Sequence, residues 1–435
     1  MNCLLRSLLV DTGNCDKTIA ILDFDLPLKS GDTQTPFRHA AYPLNVIFLI
    51  MPAFIHHIAT ETPDHIYSNE FSRERMKSWV SEPRAKRLVE MIYERTGIET
   101  RYSASDDFMT DNGDLFYTLP DGSMNSPTTG QRNALYAKAS RELAVKLAHK
   151  ALAECPHFAR SDITHVVFAS CTGFANPGPD YHIIRDVGLN ENVERYTVGF
   201  MGCYAAFPAL RMAAQFCEAN PQAVVLVMCL ELCSLHLQVS GKPESIVANA
   251  LFADGAAAAI VSAREPAHDR SYYRVHGFHS ALVPSSEAHM AWDIGDHGFN
   301  MVLSAYVPDL IASNICVILS GILDKRGLTP ADIDEWAVHP GGRAILDQIE
   351  EQLALPPAAL EMSRSVLRDY GNMSSPTVMF VLKGFLEEAE TARAMTCAMA
   401  FGPGLTVETA VLERCAAAIS VAQKARPAAL AEVVA

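Results

Sequence analysis

Ile163–Ser170, with the sequence ITHVVFAS, decides the fold predicted for this chain. The run is short and nearly all apolar, which is typical of a β-strand that is covered on both faces. The same pattern recurs at Ala223–Leu230 (AVVLVMCL) and at Ala256–Ser262 (AAAAIVS). Between these runs, Gly202–Ala219 and Ser245–Phe252 have the periodicity of helices. We therefore predict an α/β fold in which strands are buried between helices.

Helical patterns also precede this region, from Glu70 to Thr96 and at Thr129–Glu154. The second half of the chain repeats the alternation of helices and strands, so we predict two similar α/β halves, residues 51–275 and 276–415. The predicted helices of the second half are Ala305–Lys325, Arg343–Gln352 and Ser374–Thr391, and its predicted strands are Glu335–His339, Thr396–Phe401 and Leu405–Leu412.

The two ends of the chain differ from the rest. Residues 1–50 lack sustained helical periodicity and contain one candidate strand, Thr18–Leu26, whereas the stretch from Met51 resembles the start of a domain. We expect residues 1–50 to be an N-terminal extension outside the core, with Met51 as a candidate for the native first residue. Residues 416–435 contain nine alanines and are expected to form a frayed tail.

The overall composition is that of a globular protein. Of 435 residues, 49% are hydrophobic and 20% are charged, which excludes collagen-like and mostly disordered chains. The net charge of −15 disfavours nucleic acids and anionic membrane surfaces as partners. The longest uncharged apolar run, Val46–Ile55, is about half of a membrane span. Since neither a secretory signal nor an acid-poor leader opens the chain, we expect a cytoplasmic protein without a membrane span.

The eleven cysteines do not have the spacing of a disulfide framework. Their odd number and their positions within apolar runs indicate reduced cysteines in the core. Cys229 and Cys233 form a single CxxxC, and no paired CxxC is present, so we expect no metal site. The cysteines assigned to the core are Cys155, Cys217, Cys229, Cys316 and Cys397.

Cys203 is the first candidate for a reactive residue, in the sequence GFMGCYAA that begins at Gly199. A predicted strand stops at a glycine pair, and Cys203 opens a predicted helix. Free N–H groups and the positive end of the helix dipole lie at such a position, and they can lower a thiol pKa to roughly 3.5–7.5. We therefore consider Cys203 a candidate nucleophile. The alternative is a small buried cysteine.

His339 and Asn372 are the other two candidates. His339 ends a predicted strand before Pro-Gly-Gly, where a neutral imidazole could donate to an oxyanion or pair with a thiolate. The alternative is a hydrogen-bonded histidine in a turn. Asn372, in the sequence YGNMSSP, lies at a predicted helix start, where it could cap the helix or offer its side-chain N–H₂ to a thioester carbonyl.

A cysteine, a histidine and an asparagine together fit carbon–carbon bond formation between thioesters. That reaction needs a nucleophile that holds an acyl chain and two uncharged donors that stabilise an enolate oxygen. A strong acid would protonate the carbanion, whereas a Ser/His/Asp set would favour hydrolysis. The sequence contains no GxSxG elbow, Walker loop or GxGxxG.

The segments around Cys203, His339 and Asn372 closely resemble the type III polyketide synthases, the chalcone synthase family. Gly402-Pro403-Gly404 also resembles that family's GFGPG loop, with Ala400 in place of its first glycine. The likeness extends from about residue 52 to residue 415. It implies a thiolase-like, five-layered αβαβα fold, a homodimer without a metal or other cofactor, and iterative decarboxylative condensation of malonyl-CoA onto an acyl-CoA starter.

The resemblance also implies roles for individual residues. Cys203 would accept the starter, while His339 and Asn372 would activate malonyl-CoA and hold the enolate oxygen. Phe252 matches a gatekeeper phenylalanine, whose apolar ring disfavours the malonyl carboxylate because desolvating a carboxylate is costly. The family's second gatekeeper phenylalanine falls at Met301, which predicts a more adaptable entrance.

Two further differences concern the length of the product. Where plant members of the family have threonines lining the cavity, this chain has Cys171, followed by Thr172, and Cys233, with His236 three residues later. Thiols make the wall less polar, and bacterial relatives with a cysteine at the second position are similar in having a tunnel for long acyl chains. We therefore expect a fatty acyl starter and an alkylpyrone or alkylresorcinol product. The alternative is that these cysteines only pack the core.

CoA binding is predicted from fewer residues. Arg95 matches one of the basic positions that the family uses, but the others fall at Met91 and Leu88. Gly341 and Ala344 match the backbone stretch beside the pantetheine arm. The basic residues expected to bind CoA in place of the missing ones, or else to form only a solvated face, are Arg84, Lys86 and Arg87.

Two other functions are compatible with parts of this pattern. A ketoacyl synthase that extends acyl-CoA once with malonyl-carrier protein has the same fold and the same three catalytic residue types. An acyl-binding protein without activity would not need all three residues. The Asn372 segment, the Phe252 gatekeeper and the Gly402–Gly404 loop favour the polyketide enzyme.

Overall fold

This computed structural model describes residues 52–106, 116–119, 121–304, 306–388 and 391–417. Within them the chain forms a nine-stranded sheet, two two-stranded sheets and ten α-helices. The strands are β1 Phe54–Glu61, β2 His65–Ser68, β3 Thr100–Ser103, β4 His165–Ser170, β5 Glu194–Gly199, β6 Val224–Leu232, β7 Asp254–Ser262, β8 Tyr272–Leu282, β9 Met290–Gly295, β10 Gly298–Leu303, β11 Glu335–Val338, β12 Arg393–Gly402 and β13 Thr406–Cys415. The helices are α1 Asn69–Trp79, α2 Pro83–Arg95, α3 Thr129–Glu154, α4 Pro179–Val187, α5 Ala206–Ala219, α6 Pro243–Leu251, α7 Val307–Leu323, α8 Arg343–Gln352, α9 Glu361–Tyr370 and α10 Thr377–Glu387.

The nine-stranded sheet consists of two half-sheets. Its strand order is β11-β12-β13-β8-β1-β7-β6-β4-β5, and β1 pairs with β8 over two residues, Phe54 and Ile55. In each half, two antiparallel pairs are followed by a parallel pair: β1-β7-β6-β4 in the first half and β8-β13-β12-β11 in the second. This repeated order of pairing confirms the predicted repeat of two similar halves, whose bounds at residues 51–275 and 276–415 stay a prediction.

The helices form three layers around the two half-sheets. Alternate residues of β6 face different layers: Val225 packs with α5 and α10, whereas Leu226 packs with α3 and α4. In β12, Ala398 faces the same central layer, and Met399 faces α7 and α8. Because α5 and α10 lie between the half-sheets, they are rich in buried apolar residues on several sides. The result is the predicted five-layered αβαβα, thiolase-like fold.

The predicted elements of the core are present, and several of their boundaries differ. The single helix predicted from Glu70 to Thr96 is wrong, because Pro83 begins a second helix after a break. The helix predicted from Ser374 begins later, since Ser374 has a positive φ of 60° and Pro376 is the N-cap of α10. The candidate strand Thr18–Leu26 lies outside the described residues.

One helical stretch in the described part of the chain, Val307–Arg326, has the length and composition of a membrane-spanning helix. Its side chains Ile311 and Ile315 are buried with residues of β13 against the second half-sheet, so a role as a core helix accounts for the same composition. Cys316 on this helix is exposed, which corrects its prediction as a core cysteine. The nine cysteines in the described residues are free thiols, and seven are buried.

Candidate active site

Cys203, His339 and Asn372 line one cavity of about 530 Å³, which we call the catalytic cavity. The three residues come from the turn between β5 and α5, from the end of β11 and from the loop between α9 and α10. Cys203 lies within hydrogen-bonding reach of Asn372, which shows how closely two of these segments approach. The fold thus brings together residues that are up to 169 positions apart in the sequence.

The turn that presents Cys203 depends on a close approach between two loops. Gly202 has a φ of +78°, and a Cβ on it would lie 2.5 Å from Cδ of Pro403. Only glycine fits both the positive φ and the contact with Pro403. The Gly402–Gly404 loop therefore buttresses the nucleophile. Pro403 also lines the catalytic cavity, whereas Gly402 packs against Tyr204.

Burial raises the pKa of the Cys203 thiol to about 12, because the thiolate loses its hydration. Hydrogen bonds with Ser374 and Asn372 act in the opposite direction but offset only part of this effect. This direction is opposite to the lowered pKa expected from the helix start. The helix itself begins at Ala206, after a short 3₁₀ turn at Gly202–Tyr204.

His339 follows β11 directly and is held by its main chain, whose N–H donates to Met399 O at 2.8 Å. The residue is 1% exposed, and neither ring nitrogen has a hydrogen-bond partner among the described residues. Burial lowers the pKa of this imidazole to about 3, so it is neutral near pH 7. A neutral imidazole with both nitrogens free can accept a proton or donate an N–H to a substrate.

Asn372 is fixed on both sides of its amide group. Its Nδ2 donates to Gly341 O at 3.1 Å, and its Oδ1 accepts from Ser374 N at 2.8 Å. Pro376, and not Asn372, is the N-cap of α10. Asn372 therefore does not cap the helix. Its second side-chain N–H lies within reach of the Cys203 sulfur and of a ligand in the cavity.

Most of the other predicted site residues also line the catalytic cavity. Phe252 forms an isolated parallel bridge with Asn372, so the gatekeeper and the amide donor share one backbone contact. The remaining predicted residues on the wall are Arg95, Cys171, Thr172, Cys233, Met301, Gly341 and Ala344. Apart from Arg95 and Thr172, these side chains bring no hydroxyl or charge to the wall.

His236 lies elsewhere, in a second cavity of about 580 Å³. Its ring stacks on Phe299 with a centroid separation of 4.0 Å, and its Nε2 lies 2.7 Å from Thr172 O. Residues that line both cavities form a partition between them. These residues are Cys233, Glu244, Phe252, Trp292 and Met301.

Sequence reasoning missed two residues of this region, Glu231 and Trp292. Glu231 is fully buried behind the wall and accepts hydrogen bonds from Cys171 N, Thr172 Oγ1 and Ser375 Oγ at 2.9, 2.9 and 2.7 Å. Burial raises the pKa of this carboxyl to about 7. A lone acidic residue inside the apolar strand β6 was the available signal. Nothing in the sequence marks Trp292, whose Nε1 donates to Cys171 O at 2.9 Å.

The exposed face of α2 is basic. Arg84, Lys86, Arg87 and Arg95 form no ion pair with a carboxylate in the described part of the chain, and Arg95 reaches the mouth of the catalytic cavity. Such cations can bind phosphate groups. No group of three or more metal-ligating side chains occurs among the described residues.

Comparisons with known proteins identify the family to which this chain belongs. Residues 51–266 match the model of the N-terminal domain of chalcone and stilbene synthases, and residues 275–416 match the C-terminal domain. The chain is 32% identical to the alpha-pyrone synthesis polyketide synthase-like Pks18 of Mycobacterium tuberculosis over 360 residues, which is 82% of this chain and 90% of that protein.

Two crystal structures have the same fold. PKS-I from the brown alga Ectocarpus siliculosus superposes with a TM-score of 0.75 and 30% identity, over 84% of this chain and 98% of that chain. The C-terminal type III polyketide synthase domain of Steely1 from Dictyostelium has a TM-score of 0.76 and 29% identity, over 84% and 99%. The chain therefore belongs to the chalcone and stilbene synthase family of type III polyketide synthases.

Proposed function

We propose that this protein condenses malonyl-CoA repeatedly, with loss of carbon dioxide, onto an acyl-CoA starter and then cyclises the chain. The observation that supports this most directly is the convergence of Cys203, His339 and Asn372 on one cavity with mainly apolar walls. A nucleophile beside two uncharged hydrogen-bonding side chains fits thioester condensation better than hydrolysis.

In the first half-reaction, the Cys203 sulfur attacks the thioester carbonyl of the starter. His339, neutral and with both ring nitrogens free, accepts the thiol proton and passes it to the departing CoA thiolate. Burial disfavours each charge separately, but the thiolate and imidazolium formed together stabilise each other. The acyl group is then bound to Cys203, and His339 is neutral again.

In the second half-reaction, malonyl-CoA loses carbon dioxide. The C–C bond to the carboxylate breaks, and its electron pair forms the enolate of acetyl-CoA. The His339 N–H and the Asn372 Nδ2–H donate to the enolate oxygen. The apolar ring of Phe252 at the wall cannot replace the hydration of the malonyl carboxylate, so it favours the loss of this group as carbon dioxide. The enolate carbon attacks the Cys203 thioester, which forms the new C–C bond and releases the sulfur.

We further propose a fatty acyl starter and an alkylpyrone or alkylresorcinol product. The apolar side chains Val247, Leu251 and Leu303 line the catalytic cavity, and the thiols of Cys171 and Cys233 extend this surface. The name of the Mycobacterium tuberculosis relative refers to alpha-pyrone synthesis, which is consistent with this product class.

The proposal includes a cytoplasmic homodimer that needs no metal or other cofactor. Arg95 and its basic neighbours on α2 bind the phosphates of CoA.

The dimer is proposed from an exposed aromatic side chain. Phe174 is 46% exposed and lies beside Phe200, with ring centroids 5.7 Å apart. Apolar surface exposed at Phe174 is available for contact with a second subunit. Light scattering of the purified protein tests the dimer, and a monomer at micromolar concentration would contradict it.

The activity is tested by incubating purified protein with lauroyl-CoA and malonyl-CoA alone and identifying products by mass spectrometry. We expect pyrones or resorcinols from the wild type and a loss of more than about 1,000-fold in Cys203→Ala. Cys316→Ala, which removes an exposed thiol on α7, is the matched control and should keep full activity. A strict need for a carrier protein, or unchanged turnover in Cys203→Ala, would contradict the proposal.

A further inference from the structure

Arg101, in β3, is a buried cation that the proposed mechanism does not use. It is 2% exposed, and no carboxylate lies within 4 Å of its guanidinium in the described part of the chain. A buried arginine keeps its charge, since the guanidinium is not deprotonated in proteins. Its hydrogen bonds therefore have to compensate for the lost hydration.

Those hydrogen bonds go to the segment that contains the gatekeeper. Arg101 donates from one terminal nitrogen to Asn249 O at 2.6 Å and to Phe252 O at 3.3 Å, at the C-terminal end of α6. The guanidinium also lies 5.5 Å from the ring centroids of Tyr67 and Tyr93. A cation at a helix C-terminus interacts favourably with the helix dipole and satisfies carbonyls that have no partner within the helix.

The aliphatic part of the same side chain packs against the loop that contains Asn372. Gly371 has a φ of +71°, and a Cβ on it would lie 2.9 Å from Cγ and 3.1 Å from Cδ of Arg101. The loop therefore lies directly on the aliphatic part of Arg101. Any larger residue at position 371 would displace either the loop or this side chain.

Two main-chain hydrogen bonds join the two segments that Arg101 touches. Asn372 N donates to Leu251 O, and Ala253 N donates to Asn372 O, both at 2.9 Å. The strand that contains Arg101 is itself tied to the end of α9, where Thr100 Oγ1 donates to Asp369 O at 2.6 Å. One side chain thus fixes the end of α6 and the start of the Asn372 loop relative to each other.

We propose that Arg101 is a positioning residue that sets the placement of Asn372 and Phe252 and thereby serves malonyl-CoA decarboxylation, but not acyl transfer to Cys203. The inference rests on the proposed function. Cys203 belongs to a separate turn, which is buttressed by Pro403 and has no hydrogen bond with Arg101 among the described residues. A shift of the α6 end would therefore move the amide donor and the gatekeeper while leaving the nucleophile in place.

The test measures the two half-reactions separately in the full-length protein. Starter loading is followed by intact-protein mass spectrometry with lauroyl-CoA alone, and decarboxylation is followed as carbon dioxide released from malonyl-CoA alone. In Arg101→Met we expect kcat for decarboxylation to fall about 100-fold with little change in KM, because a misplacement of about 1 Å near the reacting atoms can have that effect. Loading should change less than about 3-fold. Arg101→Lys should recover part of the loss, since an ammonium can still donate to Asn249 O.

Arg132→Lys is the matched control. Arg132 is also fully buried and donates to main-chain carbonyls, Leu235 O at 2.7 Å and Leu237 O at 2.9 Å, but it does not touch the Asn372 loop. Any loss of stability in this control should change both half-reactions in parallel. If Arg101→Met does not fold, the ratio of the two rates in Arg101→Lys decides the question.

Equal losses in loading and decarboxylation in Arg101→Lys, or no loss in either, would overturn the role of Arg101. A wild-type protein that does not release carbon dioxide from malonyl-CoA would overturn the proposed function instead.

Discussion

Cys203 shares the catalytic cavity with two uncharged hydrogen-bonding residues, Ser374 and Asn372, and with a neutral His339. No cation among these neighbours stabilises a thiolate before the substrate arrives. At the scale of single residues, the resting site is therefore a neutral thiol beside a neutral imidazole, and charge separates only during the acyl transfer.

This charge state predicts how the reactivity of Cys203 depends on pH. A thiol whose pKa is raised to about 12 is mainly protonated between pH 7 and pH 10, so its small thiolate fraction rises about tenfold per pH unit over that range. The rate of alkylation by iodoacetamide at Cys203, measured by peptide mass spectrometry, should keep rising from pH 7 to pH 10. Cys316 is the exposed reference thiol in the same protein, and its alkylation is measured in the same samples. A plateau for Cys203 below pH 8 would show that the helix start lowers its pKa after all.

Gly202 provides a second prediction at this scale. Gly202→Ala should destabilise the protein and reduce condensation at least about 100-fold, because the new methyl group meets Pro403 and displaces the Cys203 turn. Gly327→Ala is the matched control, since Gly327 also has a positive φ, of +65°, but has nothing within 4 Å of the added Cβ. The control should lower the melting temperature without affecting kcat. Equal activity in both variants would contradict the buttressing role of Pro403.

At the scale of elements, the hairpin of β9 and β10 contributes two residues, Trp292 and Met301, to the partition between the two cavities. The Cα partners Trp292 and Met301 lie directly opposite each other in this hairpin. The hairpin therefore determines whether an acyl chain is confined to one cavity or extends into the next.

Trp292→Ala should join the two cavities and shift the preferred starter towards longer acyl chains. The removed indole spans the wall, and its hydrogen bond to Cys171 O does not involve the catalytic residues. Product profiles over a series of acyl-CoA lengths measure the shift. Ile294→Ala, a change at a 60% exposed position of the same strand, should leave the profile unchanged. An unchanged length optimum in Trp292→Ala would show that the partition does not limit the chain.

At the scale of the whole molecule, the catalytic residues belong to both halves of the repeat. Cys203 precedes α5 and Asn372 precedes α10, and these two helices form the central layer. The residue that precedes the central helix of each half therefore faces the other half across that layer. Docking of the two halves, and not either half alone, forms the cavity.

A protein that starts at Met51 should fold with the same melting temperature and the same kcat as the full chain. The family match begins at residue 51, and β1, the first strand of the sheet, begins at Phe54. Calorimetry and steady-state kinetics compare the two proteins. Aggregation of the shorter protein, or a loss of activity, would show that residues 1–50 belong to the working enzyme.

The sequence by itself was sufficient for the α/β class, for most of the core strands and for the three candidate reactive residues. Strands such as β4 and β6 are buried on both faces, so their apolar runs are a local property that can be recognised without the fold. The motifs at Cys203, His339 and Asn372 are likewise local, because glycine and proline turns accompany each residue.

Only the tertiary structure decided the protonation of Cys203, the partition at Trp292 and the contacts of Arg101. Each depends on groups far away in the chain: desolvation by walls from several elements, a second cavity behind Cys233, and a loop that packs on an arginine stem 270 positions earlier. Electrostatic and packing energies are set by distances in space, and a local sequence pattern contains no information about those distances.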